Sequence, residues 1–184
     1  MMINRNAECW CKSGKKYKYC HLSTDQKIAE YKHKGYIVPS RKIIKNTEQI
    51  AGIRESGRIN TLILDEISSH ITAGISTEDI NRYVHEKTIQ LGGTPATLGY
   101  EGYPKSVCVS VNEEVCHGIP STERFLENGD IVNIDVSTIY NGYYGDSSRM
   151  FCIGKVSPER KSLVEVARQA IEIGLRNVKP WNTL

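Results

Sequence analysis

Two carboxylates, Asp135 and Asp146, stand on either side of Asn141-Gly142, a dipeptide suited to a two-residue hairpin turn. With that turn Tyr140 faces Tyr143 and Asp135 faces Ser148. Asp146 then shares a face with Asp135 as its diagonal neighbour, about 7–8 Å away between Cα atoms. Carboxylates at this spacing can hold two divalent ions ~3.5–4 Å apart. Asn133 and Ser137 fall on the same face, and Val132, Ile134 and Val136 on the other. The return strand is less regular, since this register sets Ser147 and Arg149 opposite apolar positions and leaves room for a bulge. A one-residue slip would separate the aspartates. On spacing alone, aspartates beside a turn are more often solvated than bound to metal.

A second cluster lies near the start of the chain. Cys9, Cys11, Cys20 and His21 offer three thiolates and an imidazole, enough for one tetrahedral structural zinc. Adjacent Cys20 and His21 can both coordinate only where the backbone turns sharply. Cys108, Cys116 and Cys152 sit instead in apolar, strand-like surroundings. Six cysteines could form three disulfides in a secreted protein. No basic, apolar leader opens the sequence, so free thiols in a reducing cytoplasm are expected. Cys116 and His117 are not expected to form a nucleophilic dyad, because neighbours on an extended chain point to opposite faces.

The elements that must carry these groups follow from pattern. A chain of 184 residues with 39% hydrophobic and 24% charged residues suits one main core plus an appendage. Residues 1–21 are too few for a core and read as a zinc-binding motif, 22–40 as a polar linker, and 41–184 as one domain. Thr47 can cap a long helix to about His70, with Ile50, Ile53, Leu64, Ile67 and Ile71 at roughly helical spacing. Ser76-Thr77-Glu78-Asp79 has the form of a capping box for a second helix, which Gly92-Gly93 ends. Val107, Val109 and Val111 alternate as in a half-buried strand. Residues 130–140 and 143–153 form the hairpin, and Ser157-Pro158 opens a last helix. Helices and hairpins without regular βαβ alternation predict an α+β fold.

The net charge of +3 is unevenly divided: residues 1–21 hold five Lys and Arg against Glu8, or +4, and the remainder carries −1. Any pull on a polyanion belongs to the N-terminal segment. No apolar run approaches the ~18 residues of a membrane span. Neither a membrane nor a sequence-specific nucleic-acid partner is expected.

Three segments, in order, closely resemble the type I methionine aminopeptidases. They are Gly99-Tyr100-Glu101-Gly102-Tyr103-Pro104-Lys105-Ser106-Val107-Cys108, Val111-Asn112-Glu113-Glu114-Val115-Cys116-His117-Gly118-Ile119-Pro120, and Asn133-Ile134-Asp135-Val136 with Gly145-Asp146-Ser147-Ser148. The resemblance runs from about Ser40 to the C-terminus. It implies a pita-bread α+β fold, of which this chain would supply approximately the first half. It also implies removal of the initiator methionine from nascent polypeptides when the next residue is small. Two divalent ions are implied, Mn²⁺, Fe²⁺, Co²⁺ or Zn²⁺ according to supply, with Asp135 and Asp146 as ligands. His117 would be the catalytic residue that contacts substrate near the scissile bond. Tyr100 and Tyr103 would line the methionine pocket with Cys108, and Thr97 stands where many bacterial members have a small cysteine.

The family completes its site with a histidine and two glutamates in the second half of the fold. Here no histidine follows His117, and Glu159, Glu165 and Glu172 match no ligand motif. On the last helix Leu163, Val166, Ala167, Ala170 and Gly174 share a stripe, which puts Glu165 and Glu172 on the solvated side. Glu159 in the first turn complements the helix dipole. The chain is therefore expected to be a fragment with poor binding of the metal pair, exposed apolar surface and negligible aminopeptidase activity alone.

The cysteine segment resembles the zinc motif at the C-terminus of the translocase ATPase SecA, appended also to some bacterial aminopeptidases. Lys12 stands where that pattern usually has glycine. Its lysines, Lys15, Lys16 and Lys18, make the ribosome a candidate partner beside nascent chains. The competing reading is a non-catalytic zinc module that engages ribosomes or nascent chains, or the product of a decayed gene.

Overall fold

The computed structural model describes residues 3–183, which divide between two compact units, 1–45 and 46–184. In the first unit Glu8 and Lys16 form an antiparallel bridge, and the Cys9 N–H donates to the Lys15 carbonyl at 2.9 Å. The loop between them turns through Lys12 and Gly14, both left-handed at φ 58° and 73°. A short 3-10 turn at Tyr17–Tyr19 then leads into helix α1, Leu22–His33. The stretch read as a linker is therefore largely helical, and the unit extends to Lys45 rather than ending near Ser40.

Apolar packing does not hold this helix, since none of its residues is buried. Asp25, in its first turn, anchors it instead. The Tyr17 hydroxyl and the Trp10 indole N–H donate to its carboxylate at 2.7 and 3.1 Å, and Arg41 pairs with it at 2.7 Å while lying over the Trp10 ring. Burial works against the charge, but these three partners outweigh it and hold the Asp25 carboxyl below the usual range.

In the second unit α2 spans Thr47–Ile67. Its cap is Asn46 rather than Thr47: the Asn46 side-chain oxygen Oδ1 accepts from the Gln49 N–H, and the Gln49 side chain accepts from the Asn46 N–H. Helix α3, Thr77–Gln90, carries the expected box between Ser76 and Asp79, and Gly92 supplies the left-handed stop at φ 78°. The strands are β1, Thr94–Pro95; β2, Cys108–Val111; β3, Ile131–Tyr140; and β4, Tyr143–Cys152. Helix α4, Pro158–Asn177, follows with Ser157 as its cap.

All strand pairs are antiparallel. β3 is central, with β4 along one edge and β2 and the short β1 along the other. The β3–β4 ladder runs through ten pairs without a bulge, from Ile131 opposite Cys152 to Tyr140 opposite Tyr143. Asp135 faces Ser148 as expected, and Ser137 faces Asp146. Helix α2 lies against the return strand at close range, and the Ser147 hydroxyl is buried there without a hydrogen-bond partner. A Cβ on Gly145 would come within 2.5 Å of the Ser56 carbonyl carbon, so only glycine lets the helix lie there. Arg149 escapes at the end of α2, where its guanidinium donates to the Leu64 carbonyl at 3.2 Å and pairs with Asp65.

The core joins Ile59, Ile63, Leu64 and Ile67 of α2 to Ile80 and Val84 of α3 and to Val132, Ile134 and Val136 of β3. Ile50 and Ile53, expected in the same stripe, are exposed. Ser56 and Asn60 of α2 donate to the β3 carbonyls of Thr138 and Val136, at 2.9 and 2.7 Å, which clamps helix to strand. Strand β2 is buried along its whole length rather than on one face, because the loop 112–118 folds back over it. Helix α4 buries none of its residues, and Leu163 and Val166 of its apolar stripe are 61% and 58% exposed. Glu165 and Glu172 pair with Arg168 on the helix surface.

Candidate active site

The site lies on the sheet face that α2 leaves uncovered. Cys108 of β2 is directly opposite Asp135 of β3, so thiol and carboxylate share that face with Ser137 and Asp146. Asp135 is half-buried and Asp146 exposed. The Ser137 hydroxyl donates to Asp146 at 2.6 Å. Burial first, and then the Asp146 charge, push the Asp135 carboxyl above its usual range, against a smaller opposing effect of His117. Burial also raises the Cys108 thiol, with Asp135 and Asp146 adding to it.

His117 reaches this face by an unusual backbone path. Its φ is 57°, and Asn112 at the start of the loop has φ 56°. The loop is tied down next door: the Val109 N–H donates to the Gly118 carbonyl at 2.9 Å, and the Gly118 N–H donates to Ser110 Oγ at 3.1 Å. The Tyr103 hydroxyl lies 2.9 Å from the same Gly118 carbonyl and 3.1 Å from that of Val107. Burial keeps that phenol protonated well above its ordinary value.

Thr97, Tyr100, Tyr103, Cys108 and His117 line one open pocket of about 430 Å³. Glu101, Gly102, Pro104 and Ile119, to which the sequence assigned no role, complete the lining. All four lie within the quoted motifs, and glycine spacing is a further signal, since Gly99 and Gly102 at φ 81° and 85° flank a turn in which Glu101 is left-handed at φ 48°.

The donor chemistry of Asp135 and Asp146 suits hard divalent ions. Among the described residues no third His, Cys, Asp or Glu gathers with them. Two unscreened carboxylates on one face carry a stability consequence. An acid whose pKa is raised on folding binds its proton more tightly when folded, so stability falls as pH rises from the unfolded value of ~3.9 through the folded one. In chelator, Asp135→Asn is expected to melt at a higher temperature than the parent chain at pH 7. The two should melt together below pH ~3.9, where the parent carboxyl is neutral in both states. Equal melting at pH 7 would contradict the burial described for this carboxyl.

The four N-terminal donors converge as well. One ligand atom from each of Cys9, Cys11, Cys20 and His21 lies within 4.8 Å of all the others. His21 Nδ1 is 3.2 Å from both the Cys9 and Cys20 sulfurs. The sharp turn that the adjacent pair requires is present, with Cys20 at φ −123° and ψ −81° just before His21 caps α1. Ser13, a residue not expected at the site, places its hydroxyl 3.2 Å from Cys11 Sγ and 3.4 Å from Cys20 Sγ. That hydroxyl is the main cause holding the Cys11 thiol down to about 6, whereas burial raises Cys9. Lys12 takes the left-handed conformation for which glycine would be the unstrained choice. Three thiols and an imidazole at this spacing fit a four-coordinate soft metal site.

Comparison with known proteins finds a family match for each of the two segments. Residues 51–184 match metallopeptidase family M24, and residues 5–23 match the SEC-C motif. The chain belongs to metallopeptidase family M24. The methionine aminopeptidase of Buchnera aphidicola subsp. Acyrthosiphon pisum is 46% identical over 139 residues, 75% of this chain and 53% of the relative. That of Chlamydia trachomatis serovar D is 37% identical over 181 residues, 97% of this chain and 62% of the relative. Among solved structures, methionine aminopeptidase from Thermotoga maritima superposes with a TM-score of 0.73 at 36% identity, covering 74% of this chain and 55% of that one. A prolidase from Pyrococcus horikoshii, at 22% identity and a TM-score of 0.63, shares the fold alone. The architecture is thus the pita-bread α+β fold, and the chain spans about half the length of most curated relatives it matches.

Proposed function

We propose that this chain carries the substrate pocket and the first two metal ligands of a cytoplasmic methionine aminopeptidase. The observation that carries the reading is the single pocket in which Thr97, Tyr100, Tyr103, Cys108 and His117 meet, with Asp135 across the ladder from Cys108. The aromatic faces of Tyr100 and Tyr103 suit a thioether. The exposed His117 imidazole stands where it can stabilise a tetrahedral intermediate or pass a proton to the leaving amine. Asp135 and Asp146 would hold two divalent ions, whose contribution is a hydroxide nucleophile at neutral pH. The substrate is a nascent chain that begins with methionine followed by a small residue.

Half of a dinuclear site is not a catalyst. Because no third metal-binding side chain gathers with the two aspartates among the described residues, residues 1–184 alone serve as a binding unit and need further donors for hydrolysis. The SEC-C segment holds one structural zinc and docks the enzyme on ribosomes, a role supported by its lysines and the anionic surface of ribosomal RNA. Among the described residues no helix is long and apolar enough to cross a membrane.

Titrating Met-Ala-Ser into the isotope-labelled chain is expected to shift the resonances of Tyr100, Tyr103 and His117, while Glu-Ala-Ser at the same concentration leaves them in place. The same preparation with Mn²⁺ or Co²⁺ is expected to release no measurable methionine. Equal responses to both peptides would remove the pocket assignment. Metal-dependent methionine release would remove the half-site reading.

A further inference from the structure

The first unit has a charge that its zinc motif alone does not explain. Residues 1–45 hold eleven Lys and Arg against Glu8, Asp25 and Glu30, or +8, and residues 46–184 hold thirteen against eighteen acids, or −5. A metal held by three thiolates and a neutral imidazole would leave the unit at about +7. Lys12, Lys15, Lys16, Lys27, Lys32, Lys34 and Lys42 are all exposed. So the basic surface runs from the cysteine loop along α1 and beyond it, twice the charge of the motif by itself.

Aromatic rings lie among these cations. Tyr19 is 74% exposed with the Lys18 ammonium 4.8 Å from its ring centre. Tyr36, exposed at the end of α1, packs against Tyr31 with ring centres 5.1 Å apart, and the Lys34 ammonium is 5.9 Å from the Tyr31 ring. Flat aromatic faces beside ammonium groups bind unstacked bases and their phosphates together. An anionic membrane could also use the charge, but it would ask for an apolar stripe on α1. That helix shows none: Leu22, Ile28 and Ala29 are its apolar positions, interleaved with Asp25, Gln26, Lys27 and Glu30.

We infer that residues 1–45 form a surface for single-stranded RNA, in which lysines of the cysteine loop and α1 neutralise phosphates while Tyr19 and the Tyr31–Tyr36 pair stack on bases. The inference deepens the docking role proposed above by naming its ligand, and it reads no sequence. The acidic second unit contributes nothing to the attraction.

The test is fluorescence anisotropy of a labelled, mixed-sequence 20-nucleotide RNA titrated with the metal-loaded full chain at several KCl concentrations. Saturable binding is expected, with a slope of log affinity against log salt of about −3.5, the value for roughly five phosphates on a single strand. Lys15→Glu with Lys16→Glu and Lys18→Glu should lower affinity at least tenfold and flatten the slope. Tyr36→Ala should lower it roughly 5- to 100-fold with the slope unchanged, the mark of a lost stack rather than a lost charge. Tyr36 is exposed, so the variant does not endanger the fold. Absence of binding, or binding indifferent to the lysine changes, would overturn the proposal. So would vesicles containing phosphatidylglycerol that capture the chain while the RNA fails to displace it. A chain that sediments with ribosomes yet ignores free RNA would overturn it too, leaving docking through ribosomal protein.

Discussion

Cys9→Ser is expected to strip the metal from the first unit and unfold it, leaving the second unit intact. Forty-five residues bury too little surface to fold unaided, and Asp25 is a polar anchor rather than a core. Structural zinc sites of this kind contribute about 10–16 kcal/mol of apparent binding free energy, which the folded unit alone can collect. Cys9 is the buried member of the four, and an oxygen in its place is a poor ligand for a soft site. Metal analysis should fall from about one zinc per chain to nearly none. Amide protection should vanish across residues 3–45 while the melting of residues 46–184 is unchanged. Full zinc content in the variant would show that the remaining three donors suffice.

Gly118→Ala is expected to be the most damaging single methyl group in the second unit. A Cβ there would lie 2.2 Å from the Val109 carbonyl oxygen and 2.8 Å from its carbon, both of them main chain. β2 cannot retreat, because every one of its residues is buried. The loop must lift instead and give up the Val109–Gly118 main-chain bond, the Gly118 bond to Ser110 Oγ and the Tyr103 contact at Gly118. Overpacking at ~1–3 kcal/mol together with three lost hydrogen bonds at ~0.5–1.5 kcal/mol each gives a loss of about 2.5–7.5 kcal/mol. The melting temperature should drop by more than about 10 °C, and Met-Ala-Ser should no longer perturb His117. Gly174→Ala is the control, since nothing lies within 4 Å of its added carbon. If both variants melt alike, the close contact at Gly118 is not what holds the loop.

The hairpin was legible because two strong local rules agree there. Asn141-Gly142 fixes the turn, and the two-residue period of a strand fixes which side chains share a face. The uninterrupted ladder, however, depends on Gly145 meeting α2, and no strand pattern announces a distant helix. The same limit hid the full burial of β2, whose second cover is a loop folded back by left-handed residues at 112 and 117. Helix α1 was missed for another reason: its anchor is a carboxylate with three polar partners, which leaves no apolar rhythm to read. The pocket residues came from the wording of the motifs rather than from periodicity. Glu101 and Ile119 join them only because the chain doubles back between residues 99 and 119. Ser13 was visible as a hydroxyl between ligands, yet short polar residues fill most loops and carry little information alone.

The ten-pair ladder between β3 and β4 also acts as a gauge. Asp135 and Asp146 are separated by one strand spacing and one two-residue step, quantities set by the peptide geometry itself and repeated along every sheet. Such a gauge has no fine adjustment. Small changes in packing cannot move one carboxylate by a fraction of an ångström against the other without breaking hydrogen bonds along the hairpin, and the next available spacing is a whole step away. Any tuning of ion size or ion preference must then fall to groups that approach the pair from outside the hairpin, which leaves the two aspartates as the fixed jaw of the site.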